Sequence, residues 1–236
     1  MGGSVCFKDV KNYQALAKYY DELLQDVDSL DIWVQYIEKY IRGKNILELA
    51  SGSGVMADYL KNKGYNVIAS DISEEMKEAA KHNFDGEYLI LDMRDYDLGK
   101  EFDLILCIVD SINYLESYDD LQRVFNTAYK HLNDGGALIF DMHHKERLFE
   151  FEEEYIEEGY VGNIPYQWTI ESDIENQCLL EHFAFYENDG LVSENHIQHV
   201  FDYDKVIEVL ENTGFSVNGY ENFIENEKVL IVGVKK

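Results

Sequence analysis

Asn45-Ile46-Leu47-Glu48-Leu49-Ala50-Ser51-Gly52-Ser53-Gly54-Val55-Met56-Ala57 decides how this chain is read. An apolar run with one acidic residue inside it reads as a buried strand, and the two glycines mark a sharp turn into a helix. A second apolar run, Asn66-Val67-Ile68-Ala69-Ser70, ends on Asp71. Strand, glycine turn, helix, strand and terminal carboxylate together outline a pocket for an adenosine-bearing ligand. Gly52 and Gly54 let the backbone approach where a side chain would collide. Asp71, at the carboxyl end of its strand, is placed to accept from ribose hydroxyls.

The spacing also satisfies G-x-G-x-x-A, the pattern of a dinucleotide site, so a nicotinamide-dependent oxidoreductase is one reading. Two features point away from it. Glu48 is an awkward charge beside a pyrophosphate at a helix N-terminus but a good partner for a cation. The turn also follows a long N-terminal region rather than opening the chain.

Strand and helix patterns alternate through the middle of the sequence, which implies a parallel sheet with helices on both faces. Expected strands are 45–49, 66–70, 87–91, 102–108 and 136–141. Residues 11–42 read as helical, with Asp31 as a cap ahead of Ile32, Tyr36, Ile37, Tyr40 and Ile41. Leu121, Val124, Phe125, Ala128 and Leu132 make one apolar stripe that Gly135-Gly136 should stop. A helix beginning at Lys205 ends at Gly214, and Phe215–Tyr220 and Lys228–Val234 then form an antiparallel hairpin. Between 143 and 202 the alternation breaks. Glu146, Glu150, Glu152, Glu153, Glu154, Glu157 and Glu158 read as a solvated helix face. Tyr166–Ile174, Cys178–Tyr186 and Leu191–Phe201 read as three antiparallel strands.

Five ordered segments resemble the motifs of class I S-adenosylmethionine-dependent methyltransferases. Ile46 to Gly54 resembles the first, with Ala50 and Ser51 where Gly and Cys are common. Asp71-Ile72-Ser73-Glu74-Glu75-Met76 resembles the acidic second motif, and Tyr88-Leu89-Ile90-Leu91-Asp92-Met93-Arg94 the adenine-contacting third. Phe102 through Leu115 resembles the fourth strand and active-site segment, and Leu132 through Asp141 completes the series. The chain is most similar to bacterial small-molecule enzymes of that family, including N-methyltransferases of amino sugars and glycine-like amines.

The resemblance implies an α/β, Rossmann-like seven-stranded sheet, mostly parallel with a C-terminal antiparallel hairpin, helices on both faces, and a small antiparallel insertion after the fifth strand. Residues 1–142 would carry the N-terminal helices and cofactor core. Residues 143–202 would form the insertion, as substrate cap or homodimer interface, and 203–236 would complete the core. The expected cofactor is S-adenosyl-L-methionine, held by Tyr13, Tyr20, Glu48, Ala50, Gly52, Gly54, Asp71, Ile72, Met76, Asp92, Met93 and Ile108. Glu48 would meet the ammonium, Asp71 the ribose, Ile72, Met76 and Met93 the adenine ring, and Asp92 its amino group. Tyr13 and Tyr20 would close over the methionine part or pack the N-terminal arm.

Methyl transfer from a sulfonium is an in-line displacement in which the protein supplies alignment and desolvation. A general base is needed only when the acceptor arrives protonated. Acceptor-side candidates are Asp110, Asn113, Tyr114, His143 and His144, and Trp168, Phe183, Phe185 and Tyr186 are candidates for an apolar acceptor pocket. A metal shared by His143-His144 with His182, His196 or His199 matches no common ligand spacing, so none is expected. A second alternative is a non-catalytic protein that binds S-adenosylmethionine.

With 20 Lys and Arg against 47 Asp and Glu, the net charge is −27. Such a surface repels phosphate backbones and anionic membranes, which disfavours nucleic acid or lipid as partner and leaves a small-molecule acceptor. Cys6, Cys107 and Cys178 are odd in number and far apart, so neither a disulfide framework nor a thiolate metal site is expected. With no leader-like or membrane-spanning apolar segment, the expected location is the cytoplasm.

Overall fold

The computed structural model describes residues 13–24, 30–224 and 227–236. Cys6, and positions 11–12 and 25–29 of the expected N-terminal helical region, lie outside the described residues.

The first half alternates as its apolar periodicity dictates. After α1 (Tyr20–Leu24) and α2 (Leu30–Tyr40) come β1 (Asn45–Glu48), α3 (Val55–Asn62), β2 (Asn66–Asp71), α4 (Glu74–Ala80), β3 (Glu87–Ile90), β4 (Phe102–Cys107), α5 (Tyr118–Lys130) and β5 (Leu132–His143). β1 to β5 pair in parallel. The chain later returns through α7 (Tyr203–Thr213) to β10 (Phe215–Ile224) and β11 (Lys228–Lys235). β11 slots antiparallel between β5 and β10, giving the order β10-β11-β5-β4-β1-β2-β3.

Successive residues of each central strand face opposite layers, so both faces must be apolar. Leu47, Ile105, Leu138 and Phe140 pack with Leu121, Val124, Phe125 and Ala128 of α5 and Val206 and Leu210 of α7. Ile46, Leu104, Leu106 and Ile139 pack with Trp33, Val34 and Ile37 of α2 and with Met56 and Leu60 of α3. The buried face of α2 is therefore Leu30, Trp33, Val34 and Ile37, while Ile32 is exposed and Asp31 lies in the first turn rather than capping it.

Gly135-Gly136 does not stop α5. The helix ends at Lys130, where the His131 ring bonds the carbonyl of Thr127. The glycines lie inside β5, where the register against β4 shifts. A Cβ on Gly136 would sit 2.9 Å from the Asn133 carbonyl and 3.2 Å from that of Phe102, so a tight backbone crossing, not a cap, requires glycine there.

The insertion after β5 has four strands, not three: β6 (Tyr155–Val161), β7 (Ile164–Asp173), β8 (Cys178–Glu187) and β9 (Gly190–His199), paired in that order. The glutamate-rich stretch divides between the single turn α6 (Arg147–Glu150) and edge strand β6. On β6, Glu157 bonds Tyr166 Oη and Glu158 bonds Gln167 of β7, so cross-strand pairing overrides the charge pattern. The inner face of the insertion lies over the N-terminal segment, Phe183 and Phe185 packing with Leu16 and Tyr19.

Candidate active site

The carboxyl ends of β1 and β4 and the start of β11 open onto a crevice of about 310 Å³. Tyr20, Glu48, Ala50, Gly52 and Ile108 line it together with Trp33, Val109, Ser111 and Lys228.

Its floor is the turn after β1. Ala50 and Gly52 both have left-handed φ, 51° and 52°, which costs a Cβ-bearing residue about 1 kcal/mol. Gly52 N–H donates to Asp71 Oδ2 at 3.0 Å, Ser73 N–H donates to Oδ1 at 2.9 Å, and Tyr88 Oη donates to the Gly52 carbonyl at 2.6 Å. Asp71 thus pins the turn to β2, and burial raises its pKa despite those two bonds. The Glu48 carbonyl takes the hydroxyls of Ser51 and Ser70, but its side-chain Oε2 is buried without a hydrogen-bond partner. Burial pushes Glu48 up to about 8. A buried carboxyl with one unpartnered oxygen beside a left-handed turn fits a ligand that brings a positive charge, and an ammonium group meets that need.

The far wall is another left-handed turn, Val109 (φ 60°) and Asp110 (φ 57°). Two consecutive non-glycine residues in this region, one β-branched, is a strained arrangement of the kind that concentrates at functional sites. The turn is held by charge. Asp110 N–H donates to both oxygens of Asp141 at 3.2 Å, while Lys228 Nζ lies 2.6 Å from Asp110 Oδ2 and 3.4 Å from Asp141 Oδ2. Burial alone would raise Asp110, but the Lys228 charge, then His143, holds it at about 2. Asp141 is fully buried and raised to about 7, with Lys228 opposing.

Above the crevice, Tyr13 and Tyr114 share a hydroxyl hydrogen bond of 2.8 Å, and Tyr114 Oη lies 2.8 Å from His196 Nδ1. His196 Nε2 is 2.9 Å from Glu194 Oε1, and Glu194 Oε2 accepts from the backbones of Ala15 and Leu16. The Tyr13 and Tyr20 rings meet edge to face, centroids 5.8 Å apart, and Tyr20, raised to about 12 by burial, lies over Gly52.

The other residues singled out from sequence are placed differently. Gly54 packs against Phe84 and Ala80, a Cβ there meeting Phe84 Cβ at 3.0 Å, so its close approach is to the protein itself. Met76 is fully buried, whereas Ile72 is 64% exposed at the end of β2. Asp92 is chelated by Arg94 through Nε and Nη2, which lowers its pKa. Met93 packs against the core with its sulfur 3.8 Å from Cys107. Asn113 spends its amide on the frame, donating to the His199 carbonyl at 2.6 Å and accepting from His143 N–H at 3.1 Å. His144, together with one side of His143, lines a separate recess with Lys145, Phe201 and Asp202. Trp168 and Phe183 stack with centroids 5.3 Å apart, while Tyr186 points outward at 50% exposure. Among the described residues no group of three metal-ligating side chains converges.

Lys228 and Glu194 are not among the site residues read from sequence, and Tyr88 and Asp141 enter there only as the ends of the third and last family-like segments. The only available signal was a lysine opening an otherwise apolar strand, and Asp141 ending one. Their partners come from other elements.

The chain matches the Methyltransferase domain family over residues 17–218. It is 29% identical over 216 residues to the putative methyltransferase YqeM of Bacillus subtilis (strain 168), covering 87% of each chain. A dTDP-4-amino-2,3,4,6-tetradeoxy-D-glucose N,N-dimethyltransferase of Saccharopolyspora spinosa is 26% identical over 145 residues, 54% of this chain and 58% of that one. Among solved structures, the sugar N-methyltransferase KedS8 from Streptoalloteichus sp ATCC 53650 superposes with a TM-score of 0.82 at 19% identity, covering 100% of this chain and 98% of its own. CalS10, an amino pentose methyltransferase from Micromonospora echinaspora solved with bound S-adenosylmethionine, gives 0.78 at 16% identity, covering 97% and 100%. At such identities the solved structures establish the shared fold. The family match, spanning most of the chain, overturns the oxidoreductase alternative. The protein belongs to the Methyltransferase domain family and is a methyltransferase built on the Rossmann-like sheet of the class I S-adenosylmethionine-dependent enzymes.

Proposed function

We propose that this protein transfers the methyl group of S-adenosylmethionine to a nitrogen or oxygen atom of a small-molecule acceptor. The observation that carries the reading is the unpartnered Oε2 of the Glu48 carboxyl, in the crevice wall beside the left-handed Ala50–Gly52 turn. Bound S-adenosylmethionine supplies a methyl group already activated for displacement by the sulfonium charge. Glu48 holds the ammonium, Ala50 and Gly52 let the main chain come close, and Gly54 sets the helix that follows. The free lone pairs of Asp71 serve the ribose. Ile72 covers the adenine face with Met93 behind it and Met76 supporting from the core, and Asp92 serves the exocyclic amine at the cost of part of its Arg94 contact. Ile108 forms the wall next to the reacting carbon. Tyr13 and Tyr20 cover the crevice and exclude water, which strengthens every charge interaction inside.

On the acceptor side, Tyr114 orients the nucleophile, and Asp110 and His143 take its proton. Asn113 fixes the frame between β5 and β9, and His144 is peripheral. The insertion acts as a substrate cap, its inner face resting on Leu16 and Tyr19. Its outer face exposes Tyr160, Tyr186 and Leu191, which supports a second use as a homodimer contact. We place the enzyme in the cytoplasm: Cys107 and Cys178 are free and buried, and no helix among the described residues is long and apolar enough to cross a membrane.

Calorimetry with S-adenosylhomocysteine tests the donor assignment: micromolar binding that weakens at least tenfold in Glu48→Gln is expected, and no binding would overturn it. Labelled methyl transfer screened across amines, amino sugars, phenols and carboxylates then identifies the acceptor. Binding without turnover on any of these, or in cell extract, would favour a non-catalytic role.

A further inference from the structure

Four ionisable groups meet where β4, β5 and β11 converge: Asp110, Asp141, His143 and Lys228. Lys228 forms their open end, since it also lines the cofactor crevice. Above about pH 7, where Asp141 as well as Asp110 is ionised, and with His143 carrying a hydrogen on Nε2 alone, the group carries one net negative charge. One added proton balances it, two positive against two negative, and a buried cluster is least costly when balanced.

Geometry says where that proton fits. His143 Nε2 lies 2.8 Å from Gln198 Oε1, an acceptor, so the ring hydrogen sits on Nε2 and the lone pair on Nδ1. Nδ1 faces Asp110 Oδ1 across 3.6 Å, and both atoms are buried with no hydrogen-bond partner. Two bare acceptors confronting each other are costly as they stand, and one proton between them satisfies both. The remaining charges agree. Glu181 on β8 faces His143, and Lys228 and Arg147 face Asp110. Asp110 keeps 14% side-chain exposure, against 5% for His143 and none for Asp141, so it is the more accessible of the two carboxylates.

We propose that these four residues form a one-proton acceptor for the methyl-transfer reaction, the proton surrendered by the acceptor coming to rest between Asp110 Oδ1 and His143 Nδ1. This rests on the donor and acceptor placement given under the proposed function. An ammonium or hydroxyl acceptor loses its proton by heterolysis of an N–H or O–H bond, the electron pair staying on the acceptor atom. The proton passes by way of Asp110 to the Nδ1 lone pair of His143. The acceptor's pair then forms the new bond to the methyl carbon as the carbon–sulfur pair departs with sulfur. The proton returns to solvent before the next cycle. Lys228 is a positioning residue: it keeps Asp110 anionic and holds the strained Val109–Asp110 turn.

Nitrogen-15 and proton NMR of the full chain with labelled histidine tests this without a substrate. The spectra should show one histidine protonated at both ring nitrogens whose Nδ1 proton gives a downfield hydrogen-bonded resonance. That resonance should disappear in His143→Gln, which assigns it. It should be lost in Asp110→Asn and Lys228→Met and kept in Lys228→Arg, a rescue that simple packing would not require. An Nδ1 that stays bare over the whole pH range in which the wild-type fold persists overturns the proposal, as does a resonance indifferent to Asp110→Asn. The wild-type spectrum decides alone should the Asp110 or Lys228 variants not fold. Spectra are taken with and without S-adenosylhomocysteine: a chain that fails to bind it loses the donor assignment, while the free-chain spectrum still judges the cluster.

Discussion

Glu194 Oε2 accepts a 3.0 Å hydrogen bond from the backbone of Leu16, so strand β9 of the insertion grips the N-terminal segment by its peptide groups. The same carboxylate takes the N–H of Ala15 at 2.6 Å and that of Tyr13, and it pairs with His196. Burial opposes its charge, yet the His196 contact and these peptide bonds hold its pKa below the usual carboxylate value. Glu194→Ala strands several buried N–H groups and should cost about 3 kcal/mol. Chemical denaturation should record that loss, and limited proteolysis should show faster cleavage near Tyr13. Unchanged stability would mean that water replaces the carboxylate without penalty.

Glu48 gives the donor affinity a pH dependence with a definite sign. Its folded pKa, about 8, lies above the unfolded value of roughly 4.3. Between those values the folded chain holds a proton that the unfolded chain lacks, so stability of the free protein falls as pH rises through the window. Asp141, raised to about 7, adds to the same slope. An ammonium ligand favours ionised Glu48, so binding S-adenosylhomocysteine at a pH near 6.5 should expel a proton, and affinity should rise toward pH 8. Calorimetry in two buffers of different ionisation enthalpy measures the proton. Glu48→Gln should remove it.

Val109 is a β-branched residue at φ 60°, 47% exposed on the crevice wall. Val109→Gly removes the left-handed strain and should stabilise the free chain by about 1 kcal/mol, less the added entropy of the unfolded state. The freed turn no longer pre-forms the wall, so S-adenosylhomocysteine should bind about tenfold more weakly, a cost of about 1.4 kcal/mol. Thermal unfolding and titration of the same preparation read both. Weaker binding together with lower stability would refute strain at this turn.

Asp71→Ala removes the acceptor for Gly52 and Ser73 N–H together with the proposed ribose contact. Affinity for S-adenosylhomocysteine should fall by about 2–4 kcal/mol, thirtyfold or more, while circular dichroism stays that of the wild type. Asp71→Asn should recover part of the loss, because its amide oxygen still accepts from one of the two N–H groups.

Short-range pattern was enough for the alternating core. Apolar periodicity and glycine placement locate β1, β2, β4 and the turn at Gly52, because each depends on residues within a few positions of one another. It also marks Glu48 as an acid in an apolar strand, the anomaly on which the proposed cofactor crevice rests. The same logic misled at Gly135-Gly136, where the requirement is a close crossing with Phe102 and Asn133, and along the glutamate-rich stretch, where pairing with β7 outweighs local helix preference.

What the sequence determined by itself was the layered sheet and the position of the glycine turn at Ala50–Gly52, since hydrophobic period and backbone permissiveness are local properties. Tertiary structure alone decided the buried charge contacts around the crevice. Lys228 against Asp110, His143 against Gln198 and Glu194 against Leu16 join residues distant along the chain. Their energies arise from desolvating charges against one another, a quantity that exists only once β11, β9 and the N-terminal segment have closed around β4 and β5.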